Sequence, residues 1–261
     1  MVEGEKRRST PALRPSTILP VKISIVVPAF NEERLLGDSL AEMKTAAKAF
    51  MPLGWEWELV VCDNNSTDRT AEIARAAGAR VVFEPVNQIA RARNAGATAA
   101  TGEWLIFIDA DSHPSEALFA DVAEAIRSGK YLAGGATVRM DREPLAAKIM
   151  IPIWTLISRT LKWCAGSFIF CEASAFREIG GFSNELYMAE ELDLSRRLKR
   201  LAKKNRKRIV ILARHPLITS ARKLKLYSMR EHLWLLFRVL VTPRRTMTRR
   251  ENAHLWYDGR R

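Results

Sequence analysis

Apolar positions switch between two periods along the first half of this chain. Val21–Val27 is a β-branched run bounded by Pro20 and Pro28, which predicts a buried strand. Asn31–Phe50 then carries apolar residues at Leu35, Leu36, Leu40, Met43 and Ala47, the spacing of one helix face. Trp57–Cys62 predicts a second strand, and Asp68–Ala77 a short helix capped by Ser66 or Thr67. Arg80–Phe83 is a third strand, and Ile89–Ala100 an Ala-rich helix stopped by Gly102. Trp104–Ile108 is a fourth strand, followed by a helix over Ser115–Ser128. Strands alternating with helices predict an α/β fold, a Rossmann-like, mostly parallel sheet flanked by helices.

The alternation fails after Tyr131. A strand at Gly134–Val138, a helix at Leu145–Trp163, an apolar stretch at Ser167–Cys171 and a helix at Ala173–Ile179 follow. Gly180-Gly181-Phe182 predicts a turn, and Glu190–Lys204 a highly charged helix. Ile209–Leu212 and Leu217–Ser220 are candidate strands, and the chain beyond Tyr227 is helical and basic in pattern. The expected organisation is a flexible N-terminal tail over 1–20, one domain over 21–220, and a basic helical extension over 221–261.

Charge sharpens that division. The 261 residues carry a net +13, but Ser195–Arg261 holds 21 Lys/Arg against 3 acidic residues, while residues 1–194 sum to −5. A basic quarter on an acidic body implies an anionic partner: a lipid surface, a phosphorylated lipid or nucleic acid. Aromatic residues are sparse around Lys199–Arg208, which favours a membrane or phosphate role and no nucleic acid. No apolar run reaches the ~18–20 residues of a bilayer span. Leu145–Cys171 mixes apolar residues with Lys148, Arg159, Lys162, Trp154 and Trp163, a pattern suited to a helix lying in an interface. Leu233–Val241 is a second such segment; the alternative for both is an ordinary core helix. Three cysteines with no CxxC pair, and an N-terminus without an apolar signal region, predict a reducing, cytoplasmic setting.

Candidate chemistry begins where Trp104–Ile108 ends, at Asp109-Ala110-Asp111. Residues i and i+2 of a strand share a face, so the two carboxylates can converge on one hard cation. Mg²⁺ takes one or two protein carboxylates and completes its shell with water and phosphate oxygens. This predicts a metal-diphosphate site at the carboxyl edge of the sheet, where open α/β sheets bind ligands. The alternative is that both residues cap the next helix. Three more stretches follow strands onto that edge: VVPAFNEE (Val26–Glu33), CDNNSTDRT (Cys62–Thr70) and RARNAGATAATGEW (Arg91–Trp104). They offer carboxylates for a nucleoside, and Arg91 or Arg93 as a forked phosphate donor. No GxxxxGK[ST] loop and no GxGxxG turn is present, so P-loop and nicotinamide chemistry lose support.

Taken in order, PAFNEE, DNNSTDRT, RNAG and DAD resemble the family 2 glycosyltransferases of GT-A fold, from about Ile23 to Arg200. The resemblance implies transfer of a sugar from a UDP- or GDP-linked donor to an acceptor, with Mg²⁺ or Mn²⁺ and inversion at the anomeric carbon. It puts Pro28, Ala29, Phe30 and Glu32 around the nucleoside, Asp63 on the base and Arg93 near the diphosphate. Asp111 becomes the direct metal ligand and Asp109 a contact to ribose or metal, with Ala110 between them. The family's Glu-Asp-x-Asp-Leu corresponds to Glu190-Glu191-Leu192-Asp193-Leu194 here. Direct alignment puts Glu191 in the place of the catalytic base, one methylene longer, with Glu190 left open. The alternative for both is charge that favours a helix N-terminus.

Some GT-A enzymes use a C-terminal His on the metal, and His215 stands at a suitable place; imidazole suits Mn²⁺ better than Mg²⁺. A loop histidine before Pro216 is the alternative, and His113, His232 and His254 are assigned to structure or surface. QxxRW and the multiple spans of processive members are absent, which argues against a polymer synthase. The expected partners are a nucleotide-sugar donor, a lipid or small-molecule acceptor and an anionic membrane surface, with the protein peripheral on the inner membrane face. The rivals are a sugar-nucleotide nucleotidyltransferase, for which PAFNEE is the wrong phosphate loop, and a non-catalytic nucleotide-sugar or nucleic-acid binding protein.

Overall fold

The chain runs β1 (Lys22–Ala29), α1 (Leu36–Ala46), a 3₁₀ turn (Ala47–Leu53), β2 (Glu56–Asp63), α2 (Thr70–Ala76), β3 (Arg80–Phe83), α3 (Ile89–Ala99) and β4 (Trp104–Ile108). It continues through β5 (Ser112–His113), α4 (Glu116–Arg127), β6 (Tyr131–Met140), α5 (Leu145–Leu161), β7 (Phe168–Glu172), α6 (Ala173–Glu178), α7 (Glu190–Lys204) and β8 (Arg208–Thr219). These elements come from a computed structural model that describes residues 21–141, 145–222 and 247–253. The predicted N-terminal tail, the Leu233–Val241 segment, His232 and His254 lie outside the described residues.

One sheet holds all eight strands, in the order β3-β2-β1-β4-β7-β6-β8-β5. The first four are parallel, as the βα alternation predicts. β7 then enters antiparallel between β4 and β6, and this ends the alternation. β6 and β8 restore parallel pairing. Helices cover both faces. Ile23, Ile25 and Val27 of β1 pack with Leu36, Leu40, Phe50 and Phe119 on one side. Val26 joins Phe107, Phe176, Phe182 and Leu194 on the other. A strand buried on both faces reads as an unbroken apolar run, which is why β1 and β4 were plain in the sequence.

Three boundaries differ from the sequence reading, each for a local reason. α1 begins at Leu36, not Asn31, because the residues between form a loop: Asn31 has φ 52°, and the Glu32 carbonyl accepts from the N–H groups of Leu35 and Leu36. α2 begins at Thr70 because the Asp68 carboxylate accepts the Thr70 N–H, leaving Ser66 and Thr67 outside the helix. The two candidate strands near the C-terminus are one strand, β8, whose register jumps between Leu212 and Leu217 and so absorbs Pro216. The short strand β5, pairing Ser112 with Thr219, has no apolar signal of its own. The three cysteines are free and buried; burial pushes the Cys62 and Cys164 thiols up to about 12, so both serve as packing residues.

Candidate active site

The carboxyl ends of β1, β2 and β4 share one edge, with Ala29 opposite Asp63 in the ladder. The loops that leave β1 and β2 are laced together. Asn31 N–H donates to Ser66 Oγ at 3.0 Å, Thr67 N–H to Asn31 Oδ1 at 2.8 Å and Glu32 N–H to Thr70 Oγ1 at 2.8 Å. Asp63 closes its own loop by accepting the Ser66 N–H at 3.0 Å. Asn64 then ties this loop to the next: its amide donates to the Glu84 and Val86 carbonyls, and its oxygen accepts the Gln88 N–H. Pro28, Ala29, Phe30, Glu32 and Asp63 are therefore held in one rigid rim.

Asp109, Ala110 and Asp111 lie beyond the last residue of β4, in the turn that leads to β5. They do not cap α4. Ser115 does, accepting the Leu118 N–H at 3.1 Å, so the capping alternative falls. Being in a turn, the two carboxylates take different partners rather than sharing a strand face. Asp109 Oδ1 accepts from Arg93 Nη2 at 2.9 Å. Asp111 is 5% exposed and lies 3.7 Å from Arg222 Nη2. Ala110 is buried between them.

Arg93 is brought there by α3. That helix lies close to β1 because residue 96 is glycine; a Cβ there would come within 2.5 Å of Val26. Its next residue, Asn94, clamps the predicted Gly-Gly-Phe turn, accepting the Phe182 N–H and donating to the Phe182 carbonyl, each at 2.9 Å. The turn needs glycine: Gly181 has φ 68°. Phe182 then packs edge-on against Phe107 and stands 5.2 Å from the Arg93 guanidinium. The RNAG signature thus folds one cation into the interior. Arg93 is 1% exposed and donates to Glu190 at 2.7 Å, to Asp109 at 2.9 Å and to the Gly166 carbonyl at 2.8 Å. Two of its three partners are carboxylates.

The acidic pair opens α7. Ala189, just before it, has a left-handed backbone (φ 59°), a conformation that costs a residue with a Cβ roughly 1–2 kcal/mol. Strain of this kind tends to sit at functional positions. Glu190 is 4% exposed and committed to Arg93. Glu191 has no such ion pair among the described contacts and lines a cavity of about 170 Å³ with Arg93, Asp109, Ser167 and Tyr187. Burial, and after it the charge of Glu190, push the Glu191 carboxyl up to about 8, with Arg93 pulling the other way. A carboxylate held that high is suited to taking a proton near neutral pH.

His215 is not brought to this group. It falls where β8 breaks register, and its Nδ1 lies 3.0 Å from Asp121 on α4, beside Arg214. The bulge turns it toward α4. Two features escaped the sequence reading. Arg222 Nη2 donates to both Glu32 oxygens, at 2.8 and 2.9 Å. The Met247 carbonyl accepts the Tyr187 N–H at 2.8 Å, which fixes the loop ahead of α7. Neither residue belongs to a motif, and each is distant in sequence from its partner.

The likeness to known proteins agrees with this layout. The undecaprenyl-phosphate 4-deoxy-4-formamido-L-arabinose transferase of Edwardsiella ictaluri is 33% identical over 129 residues, 46% of this chain and 38% of that protein. The chain thus matches well under half the length of that relative. Among solved structures, the mannosyltransferase PcManGT of Pyrobaculum calidifontis, in complex with GDP-Man and Mn²⁺, superposes with a TM-score of 0.63 at 17% identity. It covers 90% of this chain and 63% of that one. TarS 1–349 of S. aureus with UDP-GlcNAc gives 0.59 at 21% identity, covering 90% and 69%. At these identities the structures speak for the fold, the GT-A type of mixed α/β sheet. The family model described as glycosyl transferase family 2 matches residues 24–179, more than half of the sequence, and the chain belongs to that family.

Proposed function

We propose that the protein moves a sugar from a UDP- or GDP-linked donor to an acceptor, with inversion and with a divalent cation. The observation that carries this reading is the cavity in which Glu191, its carboxyl raised toward neutral pH, faces Asp109 and the Arg93–Glu190 pair at the carboxyl edge of the sheet. The rim of Pro28–Glu32 and Asp63 takes the nucleoside. Glu191 accepts the proton of the acceptor hydroxyl. The acceptor oxygen bonds to the anomeric carbon as the bond from that carbon to the diphosphate breaks, and the diphosphate leaves with the electron pair. Attack on the face opposite the leaving group gives inversion. Arg93 and Glu190 line the same cavity and hold Asp109 and the start of α7 in place.

The donor set fits a hard cation that substrate completes. Asp111 and Asp109 are oxygen donors suited to Mg²⁺ or Mn²⁺, and among the described residues no group of three His, Cys, Asp or Glu could hold a metal unaided. When bound, such an ion offsets the charge that develops on the leaving diphosphate. UDP or GDP should therefore raise the melting temperature only with the cation present. At ~100 times Kd the gain is about 2.7 kcal/mol. No cation-dependent shift with any nucleoside diphosphate rules the donor reading out.

The acceptor we infer is lipid-borne, met at an anionic membrane surface on the cytoplasmic face. α5 exposes Ile153, Leu156, Ile157 and Leu161, from 36% to 69%. The basic side of α7 lies against its end: Lys199 Nζ donates to the Leu161 carbonyl and Arg196 stacks over Trp163. An apolar strip beside cations suits a headgroup layer. No helix among the described residues is long and apolar enough to cross a membrane. The activity named for the Edwardsiella relative, on an undecaprenyl phosphate, supports the same reading. Each Lys or Arg near an anionic surface contributes about 1 kcal/mol. The protein should co-sediment with anionic but not neutral vesicles, and less so as salt rises. Equal binding to both would leave the apolar strip as the sole anchor. Binding to neither removes the membrane from the proposal.

A further inference from the structure

Arg93, the expected phosphate cation, already donates to Asp109 and Glu190, which leaves room for a second donor to the diphosphate. The end of β8 supplies one. Ser220 N–H donates to the Asp111 carbonyl at 3.1 Å, and Ser112 Oγ bonds Thr219 Oγ1 at 3.0 Å. Ala221 N–H donates to Asp141 Oδ1 at 2.8 Å. The first two bonds fix the end of β8 to the segment that bears Asp111, and the third ties it to the end of β6. From there Arg222 reaches across to Glu32 in the β1 loop and comes within 3.7 Å of Asp111 Oδ2. It joins the proposed nucleoside rim to the proposed metal carboxylate, and the diphosphate of a donor must lie between those two ends.

Among the described residues these carboxylates use only Nη2 of the guanidinium, and Nε has no hydrogen-bond partner. A guanidinium placed between the nucleoside rim and the metal carboxylate is suited to a phosphate oxygen, which can take two parallel bonds from its fork. We propose that Arg222 is a donor-binding residue that contacts the diphosphate of the nucleotide sugar, held in place by Glu32 and Asp111. This rests on the nucleotide-sugar reading of the same edge.

The test compares ligands with and without the diphosphate. Native protein, Arg222→Gln and Arg222→Lys are titrated with UDP and GDP, and with uridine and guanosine, at one fixed concentration of Mg²⁺ or Mn²⁺. Loss of a charge-assisted fork should weaken the diphosphate ligand at least ~10-fold in Arg222→Gln, with nucleoside affinity held within about threefold of native. Arg222→Lys keeps a charge but not the fork, so it should fall between the two; it decides the matter if Arg222→Gln does not fold. Unchanged diphosphate affinity in the variants overturns the proposal. So does an equal loss for nucleoside and diphosphate, the signature of a strut that only positions Glu32. If native protein binds no nucleoside diphosphate, the donor reading itself fails, and the assignment of Arg222 with it.

Discussion

Glu191→Gln is expected to lower kcat by about 10²–10⁴, the range for loss of a general base, while nucleoside diphosphate affinity stays close to native. The amide keeps the shape of the side chain and loses only the proton acceptor. The pH profile gives a second readout. With the Glu191 carboxyl raised to about 8, kcat/KM of the native protein should climb with pH through that value, and the variant's should be flat there. Stability should move the other way. A carboxyl whose folded pKa exceeds its unfolded one binds more protons in the folded state, so native stability falls as pH rises from the unfolded value near 4.5 to about 8. Glu191→Gln removes that fall and should melt higher than native above pH 8. Glu190→Gln should behave differently. It breaks a 2.7 Å pair with a buried Arg, a loss of about 3–5 kcal/mol of stability. A flat native profile together with a mild kinetic effect of Glu191→Gln would take Glu191 out of the mechanism.

Asp111→Asn is expected to reduce turnover at least ~10³-fold. A bound cation contributes several kcal/mol of charge stabilisation, and each ~1.4 kcal/mol is a factor of ten. A neutral amide is a poor ligand for a hard cation. The fold should survive, because what anchors this turn is the Asp111 carbonyl accepting from Ser220, not the carboxylate. The cation-dependent thermal shift with UDP or GDP should vanish as well. Asp109→Asn makes the contrast. It removes a charge partner from buried Arg93, so it should lower the melting temperature before any assay is run. Near-native, cation-dependent turnover by Asp111→Asn would place the metal elsewhere.

What the sequence determined by itself was set by local interactions. β-branched runs on two covered faces wrote β1, β2 and β4 plainly, and the helical spacing of α3 and α4 needed no tertiary partner to be read. The motif strings carried the family and the residues now gathered at one edge. Gly180-Gly181 was legible as a turn, whereas Gly96, inside α3, was not legible as the cause of the α3–β1 approach. What only the tertiary structure decided was set by partners distant in the chain. β7 runs antiparallel between β4 and β6, a pairing that no local period records. Arg93 faces two carboxylates 16 and 97 residues away. A register jump in β8 carried His215 to Asp121, and the same strand's end delivered Arg222 to Glu32, 190 residues back. A sequence shows which charges exist. Their pairing follows from which backbones are brought within about 3 Å, and that distance is fixed by the whole sheet at once.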